Sequence, residues 1–143
     1  MNCYCPFSKR SMVPSKTETS EKKKITIKDF LTYRHGMDCN DENPNTAGHE
    51  QKMMMSSDWV KFTLDLPMIE EPGVKSSYCT GCAQTLGRMV EVVTRTPLVD
   101  YADKNLFSLM GITNYKIDLN PTPRVFRHLT KCILGQETYS NWQ

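Results

Sequence analysis

The stretch KSSYCTGCAQTLGRMVEVVTR, residues 75–95, decides how the chain reads. Ala83, Leu86, Val90 and Val93 recur at helical spacing, with Met89 and Val92 widening the apolar stripe, so an amphipathic helix is expected there. Tyr78 stands at its mouth beside the Cys79-x-x-Cys82 pair. That combination suits three chemistries: a metal knuckle, a redox pair, or the tyrosine of a catalytic motif whose other members lie elsewhere.

Helix signals extend to both sides. Downstream, Thr96-Pro97 ends the first helix and starts another, since proline is tolerated at the first helical position and Thr96 can cap it; this second helix is expected to run through Tyr101, Ala102 and Leu106-Phe107 to Gly111. Thr122-Pro123 repeats the signal, with Phe126, Leu129 and Ile133 on one face up to Gly135. Upstream, Pro72-Gly73 marks a turn between short extended pieces. SSDWVKFTLDLPM predicts a serine-capped helix with Trp59, Val60, Thr63 and Leu64 on one face, ending before Pro67. MDCNDENPNTAGHEQ, residues 37–51, has turn chemistry throughout and is expected to be a long surface loop.

Order is expected to begin at residue 25. In ITIKDFLTYRHG, Thr26 and Asp29 form an acidic variant of a capping box, Ile25 and Phe30 a hydrophobic staple, and Gly36 the stop. Residues 1–24, rich in Ser, Thr and Lys without a hydrophobic period, read as a flexible basic and polar arm.

Composition narrows the functional classes. With 143 residues, 38% hydrophobic and 24% charged, the chain has the make-up of one ordinary domain. A formal charge of +2, with lysines that do not interleave with aromatics, argues against a nucleic-acid partner. No apolar run approaches a membrane span, and MNCYCPFSKR lacks the apolar core of a secretory signal, so a cytoplasmic location is the default expectation.

Six cysteines (Cys3, Cys5, Cys39, Cys79, Cys82 and Cys132), scattered through a chain without a visible export signal, argue against a disulfide framework. Zinc could use Cys79 and Cys82 with His35, His49, His128 or Cys39, but no second pair has close ligand spacing. The cysteines are otherwise small, buried and inert. His35 and His128 read as surface or partly packed residues, and Met53–Met55 as a loop anchor or core filler.

Taken in order, ITIKDFLTYRHGM, DWVKFTLDLPM and the block from Glu71 to Gly111 resemble the serine β-lactamase-related family, which includes class C β-lactamases, penicillin-binding proteins and related esterases. The block carries Pro72-Gly73, Tyr78-Cys79-Thr80 in place of Tyr-x-Asn, Leu86-Gly87, and Phe107 to Gly111 in place of a Phe-x-Pro-Leu-Gly-like turn. The resemblance runs from about Ile25 onward and weakens after Ile112. It implies acyl transfer: serine attack on an ester, β-lactam or peptide carbonyl, then hydrolysis of the acyl-enzyme, with no metal or organic cofactor.

In such a site Tyr78 would work beside a serine and a lysine, because a tyrosine with a pKa near 10 is a poor base until cations stabilise its phenolate. Thr80, where Asn is usual, keeps a hydroxyl but lacks the amide's two donors. Tyr78 and Thr80 are thus the candidate catalytic residues, although Tyr78 also suits a packing role at a helix entrance. The one Ser-x-x-Lys, Ser20-Glu21-Lys22-Lys23, lies in a charged run rather than opening an apolar helix, so it reads as coincidence. A Lys-Thr-Gly or His-x-Gly strand is absent, Val125 follows Arg124 where Asp is usual, and Gln136-Glu137 replaces a glycine-rich turn.

The combined expectation is a mainly α chain with little strand, the helical lobe of an α+β β-lactamase-like fold over residues 25–143. It would be truncated or degenerate, inactive in isolation and open to self-association through unpartnered apolar stripes; the alternative is a non-catalytic helical interaction module.

Overall fold

The computed structural model describes residues 19–119 and 129–134. Two compact units divide within one helix, up to Leu86 and from Gly87 onward. The fold is mainly helical, as expected.

The first unit starts with a 3-10 turn at Lys22–Lys24, where Lys22 Nζ donates to the Leu64 carbonyl at 2.7 Å. This turn lies at the described end of the segment read as a flexible arm. Helix α1, Ile27–Leu31, opens with the expected capping box: Thr26 Oγ1 accepts from Asp29 N–H at 3.2 Å, and Asp29 Oδ2 accepts from Thr26 N–H at 2.8 Å. Ile25 and Phe30 are both buried, as a staple requires.

The stop differs from the expectation. Tyr33 takes the left-handed conformation at φ +55°, its N–H donates to Phe30 O, and Arg34 N–H donates to Asp29 O at 2.7 Å. This is a Schellman closure with tyrosine where glycine is common. Gly36, at φ +72°, serves the next turn instead; a Cβ there would collide with the Glu70 carbonyl.

Residues 37–49 are irregular but not merely a surface loop, because Met37, Cys39 and His49 are buried. Ala47 N–H donates to Asp38 Oδ2, and Gly48 N–H donates to Asp38 O at 2.8 Å, so the loop closes on Asp38. A short helix α2, Glu50–Met54, emerges from it, with His49 Nδ1 accepting from Gln51 N–H. Of the three methionines only Met53 enters the core; Met54 and Met55 are exposed. Helix α3, Trp59–Asp65, is capped by Asp58 rather than a serine, with Asp58 Oδ1 accepting from Lys61 N–H at 2.8 Å. Trp59, Val60 and Thr63 form its buried face, and Leu66 closes the core behind it.

Helix α4, Thr80–Thr94, is present, but its buried stripe is rotated by one residue. Gly81, Cys82, Thr85 and Met89 face inward, whereas Ala83 and Val93 are exposed and Leu86 and Val90 are partly covered. Close approach to α3 outweighs apolar content: a Cβ at Gly81 would meet the Thr63 side chain.

In the second unit, Glu91 pairs with Arg88 at 3.1 Å and accepts from Leu98 N–H at 3.0 Å. Glu91, not Thr96, thus covers the start of α5, Leu98–Ala102. The chain continues through a π-helical turn, Asp103–Phe107, and Gly111 at φ +68° ends it. Strand β1, Tyr115–Leu119, then pairs antiparallel with β2, Leu129–Leu134, with Ile117 opposite Cys132. The helix expected through Leu129 and Ile133 to Gly135 is therefore replaced by a strand at those two residues. The alternation Tyr115, Ile117, Leu119 suits a pleat and offers β2 a partner. Thr122, Pro123, Phe126 and His128 lie outside the described residues.

A disulfide joins Cys39 to Cys79, so the expectation against bridges is corrected for this pair. It closes a sequence separation of 40 residues. Restriction of the unfolded chain over such a loop is worth about 4 kcal/mol. Cys39→Ser should lower the stability of the first unit by about that amount, read as a shift of the urea midpoint without loss of helical circular dichroism in native buffer.

Candidate functional site

The residues around Tyr78 are held by a ladder between two segments far apart in sequence. Ser77 N–H donates to Tyr33 O, and Ser77 Oγ donates to Cys39 O at 2.6 Å. The Cys39–Cys79 bridge follows, and Asp41 N–H donates to Tyr78 O at 3.0 Å. Asp41 then caps α4: its Oδ2 accepts from Thr80 N–H at 2.6 Å and from Thr80 Oγ1 at 2.7 Å. The other oxygen, Oδ1, accepts from Glu50 N–H at the start of α2. One carboxylate thus satisfies the first turns of two helices, where free N–H groups favour negative charge.

Tyr78 is half exposed, and its ring lies against Tyr33 with centroids 5.0 Å apart. Burial raises the Tyr33 hydroxyl pKa, with smaller contributions from Tyr78, Cys82 and Asp41. Tyr78 immediately precedes α4 by one residue, Cys79, and Thr80 is its first residue. Ser20 and Lys23 lie on the exposed turn before α1.

His35, expected to be a surface or partly packed residue, is fully buried. Its Nδ1 accepts from Met37 N–H at 3.1 Å, which assigns the proton to Nε2, facing Ser77 O at 3.2 Å. One His35 ring nitrogen and the sulfurs of Cys79 and Cys82 lie within 4.8 Å of one another. Burial pushes the Cys82 thiol pKa up, with Asp41 adding to the effect, so Cys82 is a poor nucleophile. A cleft of about 260 Å³ is lined by His35, Asp38, Asn43, Lys75, Ser76 and Ser77 among others.

The Beta-lactamase family model matches residues 4–130 of the 143. The chain belongs to the β-lactamase family. No curated protein matches it significantly. Family membership agrees with the resemblance carried by the Tyr78 block, and a helical lobe is what this family would supply around such a block. Among the described residues no helix is long and apolar enough to cross a membrane.

Sequence reasoning missed Asp41, the Cys39 bridge and the Tyr33 platform. The one available hint was the Cys39-x-Asp41 spacing beside Cys79-Thr80, but nothing local says that two segments some forty residues apart will meet.

Two outcomes follow from these contacts. Asp41→Ala should destabilise the first unit by about 2 kcal/mol, and Asp41→Asn by roughly half that, because the amide keeps one acceptor oxygen. Chemical denaturation of the three proteins at one pH checks the ranking. The second outcome concerns acid. Burial lowers the His35 pKa, partly opposed by the Ser77 carbonyl. As pH falls below about 6.5 the unfolded chain takes up a proton that the folded chain refuses, so stability drops by at most about 1.4 kcal/mol per pH unit until the folded pKa is reached. Above that window the group contributes no slope. His35→Gln should flatten the acid limb of a plot of unfolding free energy against pH.

Proposed function

We propose that this chain is a serine hydrolase-like member of the β-lactamase family that does not itself turn over acyl substrates. The supporting observation is the fate of the Thr80 hydroxyl. Its hydrogen goes to Asp41, together with the Thr80 N–H. A threonine hydroxyl has one donor, so Thr80 gives it to the helix cap and has none left for a substrate carbonyl.

Tyr78 has the matching difficulty. A catalytic tyrosine needs a cation to favour its phenolate and a serine whose proton it can take. Its ring neighbour here is Tyr33, an uncharged phenol. Ser20 and Lys23 are exposed on a 3-10 turn, not presented from an apolar helix into a cleft. Esters, β-lactams and peptide-like carbonyl compounds are the substrate class of active relatives, and the position of Tyr78 at the α4 entrance is the trace of that ancestry.

The second reading, a non-catalytic interaction module, is favoured by Leu106, Leu109 and Met110, which are exposed close together after α5. Apolar side chains grouped in this way suit contact with another apolar surface, including a second copy of the chain.

The purified chain should hydrolyse neither a chromogenic cephalosporin nor a short-chain aryl ester above background, and Tyr78→Phe should change nothing measurable. Turnover that vanishes in both Ser20→Ala and Tyr78→Phe would overturn the proposal. Light scattering across a concentration series separates the second reading, which expects association weakened by Leu109→Ser.

A further inference from the structure

We propose that the reduced chain holds one thiophilic divalent cation, Zn²⁺ being the natural case, between Cys39, Cys79, Cys82 and His35. The proposal stands on four side chains that converge in a single buried spot. His35, Cys39, Cys79 and Cys82 are each at most 1% exposed. A His35 nitrogen and two of the sulfurs already lie within 4.8 Å of one another, and the third sulfur is bonded to Cys79.

Tetrahedral zinc with bonds of about 2.3 Å sets its sulfurs roughly 3.8 Å apart, so the His35, Cys79 and Cys82 ligand atoms need to contract by about 1 Å at most, while the Cys39 and Cys79 sulfurs must move apart once their bond is reduced. Cys79 and Cys82 also have the two-residue spacing common in zinc knuckles. A ligated imidazole usually keeps its second ring nitrogen on a carbonyl or carboxylate. Ser77 O already holds Nε2 of His35, so ligation through Nδ1 exchanges the Met37 N–H contact for the metal.

Disulfide and metal exclude each other, because Cys39 and Cys79 cannot offer thiolates while bonded together. A dithiol reductant passes two electrons to the Cys39–Cys79 bond; the bond breaks, each sulfur leaves as a thiol, and the reductant departs as its own disulfide. The cation then replaces three thiol protons, which pass to solvent, and takes one neutral imidazole. Its oxidation state does not change. The cluster thereby ties residues 35–39 to the α4 entrance in either redox state, by the Cys39–Cys79 bond in one and by coordination through all four residues in the other.

Co²⁺ tests this, since tetrahedral thiolate cobalt shows intense ligand-field bands and thiolate charge transfer. The full chain carrying Cys3→Ser, Cys5→Ser and Cys132→Ser, so that only the three clustered cysteines remain, is titrated oxidised and after reduction. The reduced protein should take up one equivalent with the tetrahedral spectrum, lose it to Zn²⁺, and weaken by roughly a hundredfold or more in Cys82→Ser. The oxidised protein should show no such spectrum. A second readout does not depend on how Cys82→Ser folds: Zn²⁺ should slow alkylation of Cys39, Cys79 and Cys82 in the reduced chain, followed by mass spectrometry. No tetrahedral spectrum after reduction, or alkylation unaffected by Zn²⁺, would overturn the proposal.

Discussion

The carboxylate of Asp41 is the point on which the first unit turns. It fills the first turn of α4 through Thr80 and the first turn of α2 through Glu50, while its own N–H holds the Tyr78 carbonyl. The disulfide two residues earlier fixes the register in which these contacts can form. Without that register Ser77 would not reach Cys39 O, and the Tyr33 ring would have no tyrosine to lie against. Domains of this size are stable by only about 5–15 kcal/mol, so a bridge worth about 4 and a cap worth 1–2 are a large part of the margin.

What was legible in the sequence was what is decided locally. The Thr26–Asp29 box works within four residues, and the α3 helix ends before Pro67 for reasons internal to the chain nearby. The resemblance carried by Tyr78-Cys79-Thr80 and its neighbours was legible too, since it is a string of residue types in order. The inward face of α4 was not. Counting apolar residues favours Ala83, Leu86, Val90 and Val93, but contact with α3 requires the small Gly81, and the inward face then follows from it through Cys82, Thr85 and Met89. Composition along a helix says which residues like burial; only the partner says which face comes close.

The site failed to be read in full for the same reason. Tyr78 and Thr80 could be named because a motif names them, but Asp41, Cys39 and Tyr33 belong to a different segment with no motif of its own. The absence of a recognisable export signal bears on redox surroundings and not on geometry, so it does not decide whether two cysteines are bridged. Cys39 and Cys79 are bridged because the ladder of Ser77, Tyr78 and Thr80 on residues 33–41 leaves their Cα atoms 5.6 Å apart, well within reach of a bridge. Tyr33 is a sharper case. A tyrosine closing a helix in the left-handed region costs roughly 1 kcal/mol, and local rules therefore assign the stop to Gly36. The ring contact with Tyr78 and the carbonyl accepting from Ser77 give Tyr33 the offsetting interactions that a glycine could offer only in part.

Donor counting at position 80 brings structure and chemistry together. A helix start facing a carboxylate needs hydrogens to give it, and Thr80 gives two, one from the backbone and one from the hydroxyl, to the same oxygen of Asp41. An asparagine in that place would have two amide hydrogens, so one could remain on the carboxylate while the other pointed toward a bound carbonyl, with the amide oxygen left to accept from a lysine. Threonine removes that second possibility and keeps the first. The residue that in a working β-lactamase-type site would divide its side chain between scaffold and substrate is here committed to the scaffold, and Tyr78 beside it is held by the same contacts without a cation or nucleophile among them. Under the function proposed above, the entrance of α4 serves stability, and a catalytic entrance would require a nucleophile presented to Tyr78 before any change at Thr80 could matter.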